Sequence, residues 1–264
     1  MLIAQISDLH VTRPGRLCSN KVDTAGHLRR AVERILSLAP APDVIIVTGD
    51  LVDSGEPEEY GELRRLIEPL AVPTFVIPGN HDNRTELLRA FPEHRYLPRS
   101  ERFLQYTVED WPVRLVALDT TIESCTAGEM CPERLLWLKN ALSAAPEKPT
   151  LIFMHHPPFT TGLVGMDGIG LQGAGSMAEI LARNPQVHLV TAGHLHRPIQ
   201  RRIGGTLAAT CPSTAHQVTF DLDPAAPIRF TLEPSAFQLH LWDGTGLITH
   251  TVLVEQFDGP HPFK

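Results

Sequence analysis

The stretch Val44-Ile45-Ile46-Val47-Thr48-Gly49-Asp50 places a run of β-branched apolar residues directly before a glycine and a carboxylate. Such a short run, rich in Val and Ile, is typical of a strand that is buried on both faces. Gly49 and Asp50 alone would be an ordinary turn signal. The pair would indicate a functional site if other apolar runs in the chain were also followed directly by polar residues.

Similar apolar runs do recur along the chain, at Leu2–Ile6, Thr74–Ile77, Val113–Leu118, Leu151–Met154 and Val187–Val190. Helical spacing of apolar residues lies between several of them, first around Leu28 to Leu38, where Asp23 can cap the helix, then around Leu63 to Leu70, after Pro132, and around Met177 to Leu181. Strands that alternate with helices predict βαβ units, and therefore largely parallel or mixed sheets that helices cover.

The C-terminal part of the chain is predicted to contain strands without intervening helices. Strand-like segments joined by turns with Pro and Gly occupy Thr206–Phe220, Ile228–Leu232, Phe237–Trp242 and Leu247–Val254. We therefore divide the chain into a core at 1–203 and a β-rich segment at 204–264. This segment is expected to complete the second sheet or to form a small cap used in oligomerisation, and a homodimer is the preferred assembly.

Polar residues able to bind metal follow nearly every predicted strand. They are Asp8 and His10, Asp50, Asn80, His155 and His156, and His194 and His196, and Asp119 follows Val113–Leu118. In open α/β sheets, ligands gather outside the carboxyl ends of the strands, so residues that are far apart in sequence should meet there. If one histidine of the His155-His156 pair is counted and Asp119 is left out, these residues provide seven protein ligands. Seven ligands exceed the three that one catalytic ion uses, and they fit two ions that share a carboxylate. A mixture of His, Asp and Asn suits divalent Mn, Fe or Zn.

The motifs, taken in series, resemble those of the calcineurin-like metallophosphoesterases. They are Asp8-x-His10, Gly49-Asp50, Gly79-Asn80-His81-Asp82, His155-His156-Pro157-Pro158 and Gly193-His194-x-His196. Asp53, Tyr60, Met166-Asp167 and Pro212-Ser213-Thr214 with His216 are similar to the class III cyclic nucleotide phosphodiesterases and the bacterial glycerophosphodiesterases. The resemblance extends to about residue 220. It implies an α/β fold of four layers, with two mixed sheets flanked by helices.

The resemblance also implies a role for each residue. Asp8, His10, Asp50 and His196 would hold one ion, and Asp50, Asn80, His155 and His194 the other. His155 is preferred to His156 because relatives with one histidine here read His-x-Pro. His81 would protonate the leaving alkoxide or stabilise charge on phosphorus, which makes His81, Asp50 and Asn80 the catalytic residues. Asn80, His81 and His216 would contact the substrate.

The reaction expected from this resemblance is attack of a metal-bound hydroxide on a small phosphodiester. Cyclic 3′,5′-nucleotides such as cAMP are slightly preferred to glycerophosphodiesters, and a phosphomonoesterase or a catalytically silent metal-binding module are the alternatives. The net charge of −7 and the missing basic stripe disfavour nucleic acid as a partner.

No signal segment or membrane span is visible in the sequence, and a cytoplasmic location is expected. The four cysteines form no CxxC pair, and free thiols are expected at Cys125 and Cys131.

Three further features leave alternatives open. Asp119 is expected either to orient a ligand or to make structural hydrogen bonds. Arg84 either reaches a phosphate or lies solvated at a helix start. The glycine-rich stretch from Pro157 to Gly175 lacks a Gly-Lys-Ser/Thr ending, so it is no nucleotide P-loop, and it is expected to be a mobile loop beside the site or an irregular connection.

Overall fold

A computed structural model describes residues 1–99 and 102–263. Within these ranges the helices are α1 (Thr24–Leu36), α2 (Pro57–Ile67), α3 (Arg84–Ala90), α4 (Pro132–Ser143), α5 (Val164–Asp167) and α6 (Ala174–Leu181). The strands are β1 (Leu2–Ile6), β2 (Val44–Thr48), β3 (Thr74–Ile77), β4 (Tyr106–Val108), β5 (Arg114–Ala117), β6 (Thr121–Ile122), β7 (Cys125–Glu129), β8 (Thr150–Met154), β9 (Leu171–Gln172), β10 (Val187–Ala192), β11 (Gln200–Ile203), β12 (Thr206–Thr210), β13 (Gln217–Val218), β14 (Phe230–Thr231), β15 (Ala236–Trp242) and β16 (Leu247–Leu253).

Two large mixed sheets form the centre of the molecule. The first has the order β16-β15-β1-β2-β3 and the second the order β11-β12-β10-β8-β5-β4. The central strands of each sheet are parallel, with Ile6 opposite Val47 in the first and Met154 opposite Ala192 in the second. The carboxyl ends of β1, β2 and β3 therefore share one edge, as do those of β5, β8 and β10. Two small sheets, β6-β7-β9 and β13-β14, complete the set.

The two large sheets pack face to face, and helices cover their outer faces. Side chains alternate along β8, so that Leu151 and Phe153 enter the large core that also contains Ile3, Ile45 and the apolar faces of α1 and α2. Ile152 and Met154 point the other way, into a second core with Leu138 of α4 and Met177 and Leu181 of α6. The layers are therefore helix, sheet, sheet, helix, as predicted.

The helices begin where local chemistry favours a start. The Asp23 carboxylate accepts a hydrogen bond from Gly26 N at 2.9 Å at the start of α1, and the Asn83 amide oxygen accepts from Thr85 N at 2.9 Å at the start of α3. Pro132 opens α4, where its missing N–H would have no partner anyway. All four helices expected from sequence spacing are present.

The β-rich C-terminal segment contributes strands to both large sheets. β12 extends the second sheet beside β10, whereas β15 pairs antiparallel with β1 and carries β16 at the edge of the first sheet. Phe237 of β15 is fully buried in the large core. This segment thus packs as part of the sandwich, and only β13 and β14 form a separate hairpin.

All four cysteines, Cys18, Cys125, Cys131 and Cys211, are free thiols. Among the described residues, no helix combines the length and the apolar character that crossing a bilayer requires.

Candidate metal centre

The loops after β1, β2, β3, β8 and β10 bring all seven predicted ligands together at one edge of the sandwich. Asp8, His10, Asp50 and His196 can each offer an atom to a common point, since those atoms lie within 4.8 Å of one another. His10 Nε2 lies 3.1 Å from His196 Nε2, and Asp8 Oδ1 lies 3.5 Å from His196 Nε2. In sequence, Asp8 and His196 lie near the two ends of the segment 1–203, and the fold brings them together.

A second group of ligand atoms lies beside the first. His155 Nε2 and His194 Nδ1 are each 3.1 Å from Asn80 Oδ1, and His155 Nε2 is 3.5 Å from Asp50 Oδ1. The other Asp50 oxygen, Oδ2, is 3.6 Å from His10 Nε2. The two oxygens of Asp50 therefore face different groups of histidines.

Backbone strain is concentrated at these residues. Five of the eight non-glycine residues with positive φ in the described ranges are predicted ligands: Asp8 at 51°, His10 at 44°, Asp50 at 49°, His194 at 68° and His196 at 50°. Left-handed backbone is costly for residues with a side chain, and it persists where surrounding contacts enforce it. Here it turns the side chains of successive loops toward one point.

Glycines before the ligands leave the space that this geometry needs. A Cβ at Gly79 would lie 2.2 Å from both Asp50 N and Asp50 Oδ1, and a Cβ at Gly193 would lie 2.8 Å from Asp8 Oδ2. Gly49 has φ +86° and packs against the His155 ring. The glycines of the sequence motifs are therefore required by close approach as well as by the turns themselves.

Neighbouring carbonyl oxygens orient two of the histidines. His155 Nδ1 donates to the Thr48 carbonyl at 2.9 Å, and His196 Nδ1 donates to the His216 carbonyl at 2.8 Å. Since a carbonyl only accepts, Nε2 of each ring keeps its lone pair and can bind a metal ion.

His156 is held differently from His155. Its Nε2 donates to the Thr126 carbonyl at 3.1 Å, and its Nδ1 accepts from the Thr120 hydroxyl at 2.8 Å. Both ring nitrogens of a neutral His156 are thereby used, which favours His155 as the ligand.

The electrostatics of the cluster fit cations. Burial, together with the charge of Asp50, raises the pKa of Asp8 well above its usual value, and Asp8 Oδ2 has no hydrogen-bond partner among the described residues. Burial would also raise the pKa of Asp50, but the His155, His81 and His10 imidazoles outweigh it and hold that pKa far below its ordinary range. Burial and the neighbouring His155 lower the pKa of His194 to about 3. Buried carboxyl groups and imidazoles that lie side by side form a donor set that divalent ions satisfy.

His81 lies beside this cluster and is tied to two acidic residues. Its backbone N donates to Asp50 Oδ1 at 2.9 Å, and its Nδ1 donates to the Asp53 carbonyl at 2.7 Å. Burial by itself would lower the pKa of His81, but the Asp50 carboxylate and the Asp53 carbonyl outweigh it and raise that pKa. His81 and the predicted ligands His10, Asp50, Asn80, His194 and His196 line one open cavity of about 260 Å³.

The remaining predicted residues fall into two places. His216 lines the cavity, with its ring centroid 4.9 Å from that of His196, and burial followed by the charge of His10 lowers its pKa to about 4. Arg84 is not among the lining residues. It makes a bidentate ion pair with the fully buried Asp119 at 2.6 and 2.9 Å, so the structural role expected for Asp119 is the one observed. The stretch from Pro157 to Gly175 contains α5 and β9, and the Asp167 carboxylate accepts from Thr161 N and Gly162 N.

Several residues around the cluster were not predicted from the sequence to belong to the site. Asp82 accepts from Leu51 N at 3.0 Å and Gly79 N at 2.8 Å, and so joins the loops after β2 and β3. Asp53 Oδ1 lies 3.6 Å from His10 Nδ1. Both acids lie inside or beside recognised motifs, so proximity to the motifs could have found them. The apolar residues Met166, Ile169, Val218, Ile228 and Phe230 also line the cavity, and their sequence context carries no comparable signal.

Comparison with known proteins agrees with this geometry. Residues 1–198 match the family described as calcineurin-like phosphoesterase. The chain is 39% identical to a probable glycerophosphodiester phosphodiesterase GpdQ of Arcobacter nitrofigilis, over 100% of this chain and 97% of that protein. It is 32% identical to the 3′,5′-cyclic adenosine monophosphate phosphodiesterase CpdA of Pseudomonas aeruginosa, over 86% and 83%.

A solved structure supports the fold. A dimetal phosphatase from Danio rerio superposes with a TM-score of 0.68 at 16% identity, covering 97% of this chain and 99% of that one. The family match over three quarters of the chain and the full-length relative agree with the motifs and the four layers. The chain belongs to the calcineurin-like phosphoesterase family, in the branch that contains GpdQ and the CpdA cyclic nucleotide phosphodiesterases.

Proposed function

We propose that this protein is a phosphodiesterase that uses two divalent metal ions to hydrolyse small phosphodiesters. The observation that carries the proposal is the position of Asp50, whose Oδ2 lies 3.6 Å from His10 Nε2 and whose Oδ1 lies 3.5 Å from His155 Nε2. A carboxylate that faces two sets of ligands is what a pair of ions sharing one bridge requires.

We assign one ion to Asp8, His10, Asp50 and His196, and the other to Asp50, Asn80, His155 and His194. Mn²⁺, iron and Zn²⁺ are the candidate ions, because their ligand preferences match this mixture of nitrogen and oxygen donors. Ions bound there would acidify a water molecule and neutralise charge on the phosphoryl oxygens.

The protein's own residues then position the substrate and handle the proton. Asn80 and His81 follow β3 and both line the cavity, so a phosphate bound in the cavity would be within the space that both side chains border. His81 Nδ1 is committed to the Asp53 carbonyl. Nε2 is thus left to donate a proton to the departing alkoxide, or a hydrogen bond to a phosphoryl oxygen. His216 completes the substrate side of the cavity.

Substrate choice rests on the relatives and on the size of the cavity. GpdQ and CpdA are named for glycerophosphodiesters and for cyclic adenosine monophosphate, and a cavity of about 260 Å³ suits small diesters of both kinds. The test is turnover of cAMP, glycerophosphoethanolamine and a phosphomonoester by chelated protein reloaded with Mn²⁺, Fe²⁺ or Zn²⁺. Hydrolysis of a diester supports the proposal. Hydrolysis of the monoester alone would favour a phosphomonoesterase, and no turnover with any of the three ions would favour a silent metal-binding module.

We also propose a homodimer in which the exposed edge strand β16 takes part. β16 ends the first sheet, and Ile248 and Leu253 on it are 44% and 40% exposed. Long apolar edge strands are templates for pairing with another chain. A sedimentation mass of one chain would contradict the dimer. The cytoplasmic location expected from the sequence stays a prediction.

A further inference from the structure

One wall of the cavity beside the candidate metal centre is mostly apolar, with Arg229 as a charged neighbour, and comes from two segments outside the ligand loops. Met166 and Ile169 belong to the turn that contains α5, and Val218, Ile228 and Phe230 belong to the hairpin of β13 and β14. These five side chains face the same space as His10, Asp50 and His81. The proposed ligand sets make no use of them.

The wall is built by close packing of its two segments. Met166 and Val218 share a small apolar cluster, with Ile169 packed against it. Gly165 lies against Ile228 so closely that a Cβ there would be 2.7 Å from Ile228 Cγ1. Arg197 anchors the hairpin by donating to the Val218 carbonyl at 2.7 Å and to Glu233 at 2.7 Å. The wall is therefore a fixed part of the cavity.

Phe230 lies one ring away from the metal ligands. Its ring makes an edge contact with His216 at a centroid distance of 5.2 Å, and the His216 ring is 4.9 Å from His196 and 5.3 Å from His10. Phe230 is also 36% exposed, so its ring is accessible. A substrate whose phosphate lies at the metal centre would place its next group against this ring.

We infer that Phe230, with Met166, Ile169 and Ile228, determines specificity by receiving a nucleobase of the substrate. The inference rests on the proposed phosphodiesterase function and narrows its substrate class. A flat aromatic base gains from stacking on an aromatic ring and from covering aliphatic side chains. Glycerol or ethanolamine would gain little there, because their hydroxyl or amino groups would lose water against an apolar wall. Ser19 and Thr126, whose side chains carry hydroxyl groups, line the same cavity.

The test compares Phe230→Ala with a matched control, Phe220→Ala, in the Mn²⁺-loaded full chain. Phe220 is on the same hairpin connection and is 63% exposed, but it packs under Arg197 and is not a cavity residue. We expect Phe230→Ala to lower kcat/KM for cAMP roughly ten-fold, mainly through KM, since base stacking on an aromatic ring is worth about that much. The kcat/KM for glycerophosphoethanolamine should stay close to that of the wild type, and Phe230→Tyr should retain activity on cAMP. Phe220→Ala should change neither substrate.

Several outcomes would overturn the inference. An equal loss on both diesters would mean that Phe230 only supports His216, and no loss on cAMP would mean that the base lies elsewhere. A wild type that prefers glycerophosphoethanolamine to cAMP would contradict the inference and leave the proposed function intact.

A wild type that hydrolyses neither diester would instead refute the proposed function. The wall would then be tested by calorimetric binding of AMP and glycerol 3-phosphate to the metal-loaded protein. Weaker binding of AMP alone to Phe230→Ala would support the inference, and unchanged binding of AMP would overturn it.

Discussion

Nδ1 of His81 lies 2.7 Å from the backbone carbonyl oxygen of Asp53 and donates a hydrogen bond to it. This bond fixes the imidazole at the border between the ligand cluster and the cavity, with Nε2 available to the substrate. Because the partner is a backbone atom, substitution of the Asp53 side chain cannot remove it directly. The position of His81 is therefore set by the course of the main chain after Asp50.

Replacing His81 by alanine is expected to lower kcat for cAMP by about 10²- to 10⁴-fold, the usual contribution of a positioned proton donor. The loss should be much smaller for bis(p-nitrophenyl) phosphate, because its leaving group needs little protonation. Metal content measured by elemental analysis should stay near that of the wild type. His261→Ala, at an exposed histidine outside the cavity and outside β16, is the control. Full activity of His81→Ala on cAMP would remove His81 from the mechanism.

Gly79→Ala should disturb the metal centre without removing any ligand. The new Cβ would lie 2.2 Å from Asp50 N and Oδ1, so Asp50 or the loop after β3 must move. We expect weaker metal binding, and a loss of stability of about 1–3 kcal/mol in urea unfolding. Gly61→Ala is the matched control, because Gly61 lies inside α2 and a methyl group added there would meet nothing within 4 Å. Alanine there should stabilise the protein by about 0.5–1 kcal/mol. Normal metal affinity in Gly79→Ala would contradict the idea that Gly79 is needed for its close approach to Asp50.

Asp119→Ala should destabilise the fold and leave metal content unchanged. The Asp119 carboxylate is fully buried and accepts from Arg84, Leu104 N and Thr121 N. Without this carboxylate, the Arg84 guanidinium and two backbone N–H groups would lose their hydrogen-bond acceptor. We expect the free energy of unfolding to fall by about 3–5 kcal/mol. Arg89→Ala breaks an exposed ion pair with Glu86 and should cost less than about 1 kcal/mol. Equal effects of the two substitutions would show that Asp119 has no special structural role.

His240 should make the stability of the protein depend on pH. It is fully buried, with Nε2 2.9 Å from Gln5 Oε1 and Nδ1 2.8 Å from Thr249 Oγ1. Burial lowers its pKa from 6.5 to about 3. Between these values the unfolded chain binds the proton and the folded chain does not. Stability is therefore lost as the pH falls below 6.5, by at most about 1.4 kcal/mol per pH unit from this residue.

The measurement is urea unfolding of the wild type and of His240→Gln at several pH values from 7 to about 4.5, a range that the lowered pKa selects. The substitution should flatten the pH dependence. The histidines of the candidate metal centre are present in both proteins, so the comparison isolates His240. Parallel pH profiles for the wild type and His240→Gln would contradict the prediction.

Much of this architecture could be predicted because the apolar residues occur in two recognisable patterns. They form continuous runs in the buried strands, and they recur at helical spacing in the helices that cover the sheets. The Val44–Val47 run is buried on both faces inside the large core, and the alternate side chains of Leu151–Met154 enter two different cores. Both situations demand continuous apolar sequence. The residues of the candidate metal centre could be selected from the sequence because they follow these strands directly. Asp8 and Asp50 follow neighbouring parallel strands of the first sheet, so they must lie close together. His194 follows β10 of the second sheet and reaches them because the two sheets pack face to face.

Other features depend on contacts between distant parts of the chain, which local sequence patterns do not reveal. The pairing of β15 with β1 joins residues from opposite ends of the chain, such as Leu2 and Leu241, and an alternating pattern does not say which sheet a strand will join. The roles of His155 and His156 differ only through their hydrogen bonds to Thr48, Thr120 and Thr126. The apolar wall escaped prediction because its hairpin residues look like ordinary strand residues until the hairpin is placed beside the centre.

Elemental analysis of the metal content shows whether Asp50 bridges two metal ions. Wild-type protein dialysed against Mn²⁺ should retain two ions per chain, as a shared-carboxylate site requires. His155→Ala should retain about one ion, because only one ligand set is damaged, and Asp50→Asn should retain fewer than one, because both sets lose a charged ligand. Two ions in Asp50→Asn, or a single ion in the wild type, would contradict the bridging role of Asp50.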